Sequence, residues 1–92
     1  MKNISLINKV YAAANDIVST YTDTNDDVDT TIVECVANNL FSVIDAYNND
    51  QDTYATDLLE NASTYVLVDM NEDELIHFVD VCNMMIEEYD LV

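Results

Sequence analysis

Across its 92 residues this chain contains neither a glycine nor a proline. At ordinary usage, roughly 7% and 5%, about six of one and five of the other would be present. Tight β-hairpins take glycine where the backbone must turn through positive φ. A meander or sandwich is therefore disfavoured, and the expected fold class is all-α.

Apolar spacing of three and four residues marks four helical segments. The first carries Ile4, Ile7, Tyr11, Ala14, Val18 and Tyr21 on one face. The second carries Ile32, Val36, Leu40, Val43 and Tyr47, with Asp26 or Asp27 as N-cap. The third carries Tyr54, Leu58, Ala62 and Tyr65, capped by Asp52. In the fourth, Asn71 and Glu74 have capping-box spacing ahead of Leu75, Phe78, Cys82, Met85 and Tyr89. The predicted helices span about 3–22, 28–48, 53–67 and 72–89. Thr64 to Val68 is rich enough in β-formers to make a short extended segment near 64–69 the alternative there. With no internal repeat and no linker, residues 1–92 read as one small acidic four-helix domain.

Charge narrows the function. Nineteen Asp and Glu stand against two Lys and Arg, a net charge of −17. Solubility in a small domain needs only about 2–8 charges. Direct nucleic-acid binding is excluded, because phosphate contacts need Lys and Arg. Docking on anionic membranes is disfavoured for the same reason. Yet 50% of the residues are apolar, which separates the chain from acidic disordered tails. No apolar run spans a bilayer, and Asn8 and Lys9 interrupt the only signal-like stretch. Two cysteines without a CxxC pair read as reduced thiols in a cytosol.

The acids form lines. At 100° per residue, Asp27, Glu34 and Asp45 fall within about 20° of one another on the second helix, opposite its apolar stripe. Asp73, Asp80 and Glu87 repeat this on the fourth within about 40°. Asp57 and Glu60 on the third helix and Glu88 on the fourth complete the candidate acidic surface. No Lys or Arg follows Lys9, so i, i+4 pairing never relieves the repulsion. A solvated face in a salty cytoplasm is the plain explanation. The sharper one is that the unneutralised field is itself the function. Duplex DNA carries one charge per ~1.7 Å, so seventeen charges match roughly 29 Å of duplex. The expected function is a non-enzymatic DNA mimic that occupies a cationic DNA-binding cleft.

The opening MKNISLINKV, the acidic helical body and the segment NEDELIHFVD resemble the Arn family, small anti-restriction proteins of tailed bacteriophages. The resemblance runs along the entire chain. It implies inhibition of a host restriction endonuclease of the McrBC type through its DNA-binding surface, in the host bacterial cytoplasm. It assigns no individual residues. From charge alone, histone-like nucleoid proteins are a second expected class of partner.

The rival reading is calcium. Asp23, Asn25, Asp27, Asp29 and Glu34 have EF-hand spacing, but Val28 stands where the loop requires glycine. His77 lies between Asp73 and Asp80, one imidazole and two carboxylates that would hold a metal weakly. Cys35 and Cys82 lack a positive neighbour to lower a thiol pKa and read as packing residues. No phosphate loop and no nucleophile constellation is present, so neither an enzyme nor a cofactor is expected. The six tyrosines read mainly as core. Ile76 and Met84, off the apolar stripe, are candidate contacts of a homodimer.

Overall fold

The computed structural model describes residues 4–21 and 29–92. Its elements are α1 (Ile4–Tyr21), α2 (Thr30–Asn48), α3 (Asp52–Val66) and α4 (Glu72–Glu88). Among the described residues there is no strand, and the expected all-α four-helix architecture is what forms.

The helix starts follow from side chains that satisfy free N–H groups. Asn71 caps α4 as its spacing predicts, accepting the Glu74 N–H at 2.8 Å. On α2 the cap is Asp29, which accepts the Thr31 N–H at 2.8 Å, so the helix starts at Thr30, two residues late. The expected caps Asp26 and Asp27 lie outside the described residues. Asp52 does not cap α3 but opens its first turn, where a carboxylate favours the positive helix end. Gln51 precedes it without a side-chain cap, and its N–H bonds back to the Ala46 carbonyl of α2 at 2.8 Å.

The helix ends show how the chain manages without glycine. Asp50 N–H reaches Tyr47 O at 3.2 Å and Gln51 N–H reaches Ala46 O, with Asp50 at φ 59°. Asp90 and Leu91 repeat the pattern on Glu87 and Ile86, with Asp90 at φ 56°. Both are Schellman closures with aspartate at the left-handed position that glycine usually takes. Aspartate is among the few other residues that visit this region, because its short side chain bonds locally. The alternative extended segment is not realised as a strand. Residues 64–66 are helical, Leu67 turns extended at φ −135°, and an irregular stretch leads to Asn71.

α1 and α3 each pack against both α2 and α4, so α2 and α4 stand at opposite corners of the bundle. Val10, Ile17, Val36, Leu40, Leu59, Phe78 and Cys82 fill the centre. Two predicted stripes are rotated. On α1 the buried set is Val10, Ala13, Ala14, Ile17 and Val18, while Ile4 and Tyr11 are exposed. On α3 it is Ala55, Leu59, Ala62 and Ser63, while Tyr54 and Tyr65 are exposed. The reason is size. Alanine and serine fill the buried seams, where small side chains favour close helix packing, and the bulky Tyr11, Tyr54 and Tyr65 lie on the flank.

Candidate functional site

The candidate site is a surface, and its geometry follows from which helix face is spent on the core. α2 turns Val33, Val36, Leu40, Val43 and Ile44 inward and thereby exposes Glu34, Asn38 and Asp45 on the far side. α4 buries Phe78, Val81, Cys82 and Ile86 and exposes Asp73, Asp80, Glu87 and Glu88. Asp57 and Glu60 are exposed on α3. Asp27 lies outside the described residues. The described members of the acidic lines on α2, α3 and α4 therefore all face water.

The structure does not merge these lines into one strip. Because α2 and α4 are diagonal, their outward faces point away from each other. The exposed acids of α3 lie on the corner between them. The result is a girdle over three corners of the bundle. The fourth corner, α1, exposes Asn8, Lys9, Tyr11, Ala12, Asn15 and Ser19 and no carboxylate. Its single acid, Asp16, is half-buried and accepts a hydrogen bond from the Tyr89 hydroxyl of α4.

Several acids belong to the surface that periodicity did not single out. Asp50, Asp52, Asp69, Glu72, Glu74 and Asp90 are all exposed, at or near helix ends. Their signal was positional, since they sit in caps and closures rather than on a repeating face. His77 is exposed on α4 beside Asp73 and Asp80, and no group of three or more potential metal ligands gathers among the described residues. In the calcium-type segment, Asp23, Asn25 and Asp27 lie outside the described residues. Asp29 is engaged as the α2 cap, and Glu34 points outward from within that helix.

The interior is chemically quiet. Cys82 is fully buried, and burial pushes its thiol up to about 12, far from a nucleophilic thiolate at neutral pH. Cys35 is half-buried at the edge of α2. None of the tyrosines is fully buried, against the expectation that they fill the core. Tyr21, Tyr47 and Tyr89 are half-buried, and Tyr11, Tyr54 and Tyr65 are exposed. The Tyr47 hydroxyl donates to Asn83 Oδ1 at 2.6 Å, tying the end of α2 to α4 across the bundle. Tyr21 tilts against Phe78 with ring centroids 5.5 Å apart, and its buried hydroxyl has no partner among the described residues. Desolvation, and then proximity to Cys82, raises its pKa.

No described helix is long and apolar enough to cross a membrane. Ile76 and Met84 are each 55% exposed, and both flank the line of Asp73, Asp80 and Glu87 on the same side of α4. Comparison of the chain with protein-family models, curated proteins and solved structures gave no match.

Proposed function

We propose that this protein is a non-enzymatic DNA mimic that inhibits a host restriction endonuclease, of the McrBC type implied by its resemblance to the Arn family, by occupying the DNA-binding cleft. One observation carries the reading. Seventeen net charges on a body 35 Å long amount to about one per 2 Å of axis. Duplex DNA carries one per ~1.7 Å. Twelve of the nineteen carboxylates stand on helices, which hold them at regular spacings that a cationic cleft meets without having to order them first.

The three-cornered girdle favours a partner that grips a duplex from several sides over one that reads a single groove. Histone-like nucleoid proteins are the second class of partner, since electrostatic imitation carries little sequence information. The place of action on this reading is the host bacterial cytoplasm. A homodimer would roughly double the imitated length. Pairing through Ile76 and Met84 would set Asp73, Asp80 and Glu87 against their own copies, so α1 is the face we assign to self-association.

The deciding experiment is competition. Labelled DNA bound to a purified modification-dependent restriction endonuclease is titrated with this protein at 50 mM and 300 mM salt. Displacement at low salt that weakens steeply at high salt is expected, because oppositely charged surfaces are screened. Undisturbed DNA binding at low salt would sink the proposal.

A further inference from the structure

A pocket of about 470 Å³ opens where α2 and α4 end, lined by Tyr47, Asn83, Ile86, Glu87, Asp90 and Val92. Its volume lies within the range of small-molecule sites, roughly 300–1,000 Å³. The lining divides by chemistry. Tyr47 and Ile86 offer an aromatic and an aliphatic wall, and the Tyr47–Asn83 hydrogen bond holds that wall in place. Glu87 and Asp90 bring carboxylates to the same concavity, whereas Asp73 and Asp80 stand farther back along the convex outer face of α4. Both helices direct their negative dipole ends here, because α2 stops at Asn48 and α4 at Glu88. The one described basic residue, Lys9, is on α1 and does not line the pocket.

We propose that this pocket binds a primary alkylammonium group, the stem against Tyr47 and Ile86 and the head at Glu87 and Asp90. A bare cation would leave the apolar wall unused, and a neutral apolar molecule would leave the carboxylates of Glu87 and Asp90 without a counter-charge. An alkylammonium matches both halves. The group belongs to a free aliphatic polyamine or to a lysine side chain of a protein partner. Binding of this kind stands apart from DNA imitation and is tested without a restriction enzyme.

The test is amide chemical-shift titration of the isotope-labelled protein with 1,5-diaminopentane and with Nα-acetyl-lysine methylamide, against ammonium chloride at matched ionic strength. Saturable shifts in the millimolar range, centred on Tyr47, Asn83, Ile86 and Asp90, are expected with the amines and not with ammonium. Replacing Glu87→Gln together with Asp90→Asn weakens binding tenfold or more; asparagine tolerates the left-handed backbone, so the closure survives. Replacing Asp57→Asn with Glu60→Gln makes the same change in net charge elsewhere and weakens it less than twofold. A diamine preference beyond the statistical factor of two assigns the site to polyamines, and equal affinity assigns it to lysine. Equal losses from the two variant pairs, or shifts no larger than those with ammonium, would overturn the proposal.

Discussion

α1 and α4 pack against each other and both turn apolar faces to one core, yet their outer faces have opposite character. α4 exposes Glu72, Asp73, Glu74, Asp80, Glu87 and Glu88, whereas α1 exposes Lys9 and uncharged residues. A hydrogen bond between α1 and the C-cap of α4 makes the contrast sharper, since Asp16, the acid of α1, is partly withdrawn to accept the Tyr89 hydroxyl. If acidity served general solubility, nothing would spare one corner. On the proposed reading, the acidic corners are the side that meets a cationic partner and the bare α1 corner is the side that does not.

The largest effect comes from removing the same amount of net charge at two different places. Asp73→Asn, Asp80→Asn and Glu87→Gln together bring the net charge of −17 to −14 on α4, and Asn8→Lys, Ala12→Lys and Asn15→Lys do so on α1. In the DNA competition assay the α4 variant should lose tenfold or more in inhibition, and the α1 variant less than threefold. Equal losses would mean that total charge acts and its placement does not. Sedimentation equilibrium gives a second, smaller contrast. Ala12→Glu on α1 should shift any self-association toward monomer, and Ile76→Glu on α4 should leave it within twofold. The reverse ranking would move the self-associating face to α4.

The buried faces of the same two helices supply the smallest effect, through pH. The folded Cys82 keeps its proton up to about 12, whereas an unfolded cysteine releases it near 9.0. A raised folded pKa gives stability that is complete below pH 9 and is lost as pH climbs toward 12. Tyr21 and Tyr47 are raised by desolvation, and Tyr89 by its bond to Asp16, so all three act in the same direction above pH 10. The melting temperature should therefore be level between pH 7 and 8.5 and fall by several degrees by pH 10.5. Cys82→Ala should melt lower throughout, because it leaves a cavity, but with a flatter decline above pH 9. A decline as steep as that of the parent would remove Cys82 from this account.

How much of this was legible beforehand differs from residue to residue. Asn71 capped α4 as expected because a cap is a local bargain between one side chain and an N–H three residues on. The described acids of the α2 and α4 lines were legible for a related reason: spacings of eleven residues on α2 and seven on α4 return a side chain nearly to the same angle whatever the helix packs against. The stripes of α1 and α3 were less so. There periodicity named Tyr11, Tyr54 and Tyr65 as core, and the seams went to Ala13, Ala14, Ala55, Ala62 and Ser63. Hydrophobicity ranks a tyrosine above an alanine, but close helix contact is decided by volume. The pocket was not legible at all, since Tyr47 and Asn83 are 36 positions apart and meet only when α2 and α4 share an end.

The sequence by itself determined that the chain is helical and that its helices carry acids on their outer lines, because backbone propensity and angular spacing act within a few residues. Only the tertiary structure decided that α2 and α4 are diagonal, that their acids consequently face apart, and that α1 is left bare of exposed carboxylates. Those are relations between helices, and they depend on which side chains are small enough to lie between them.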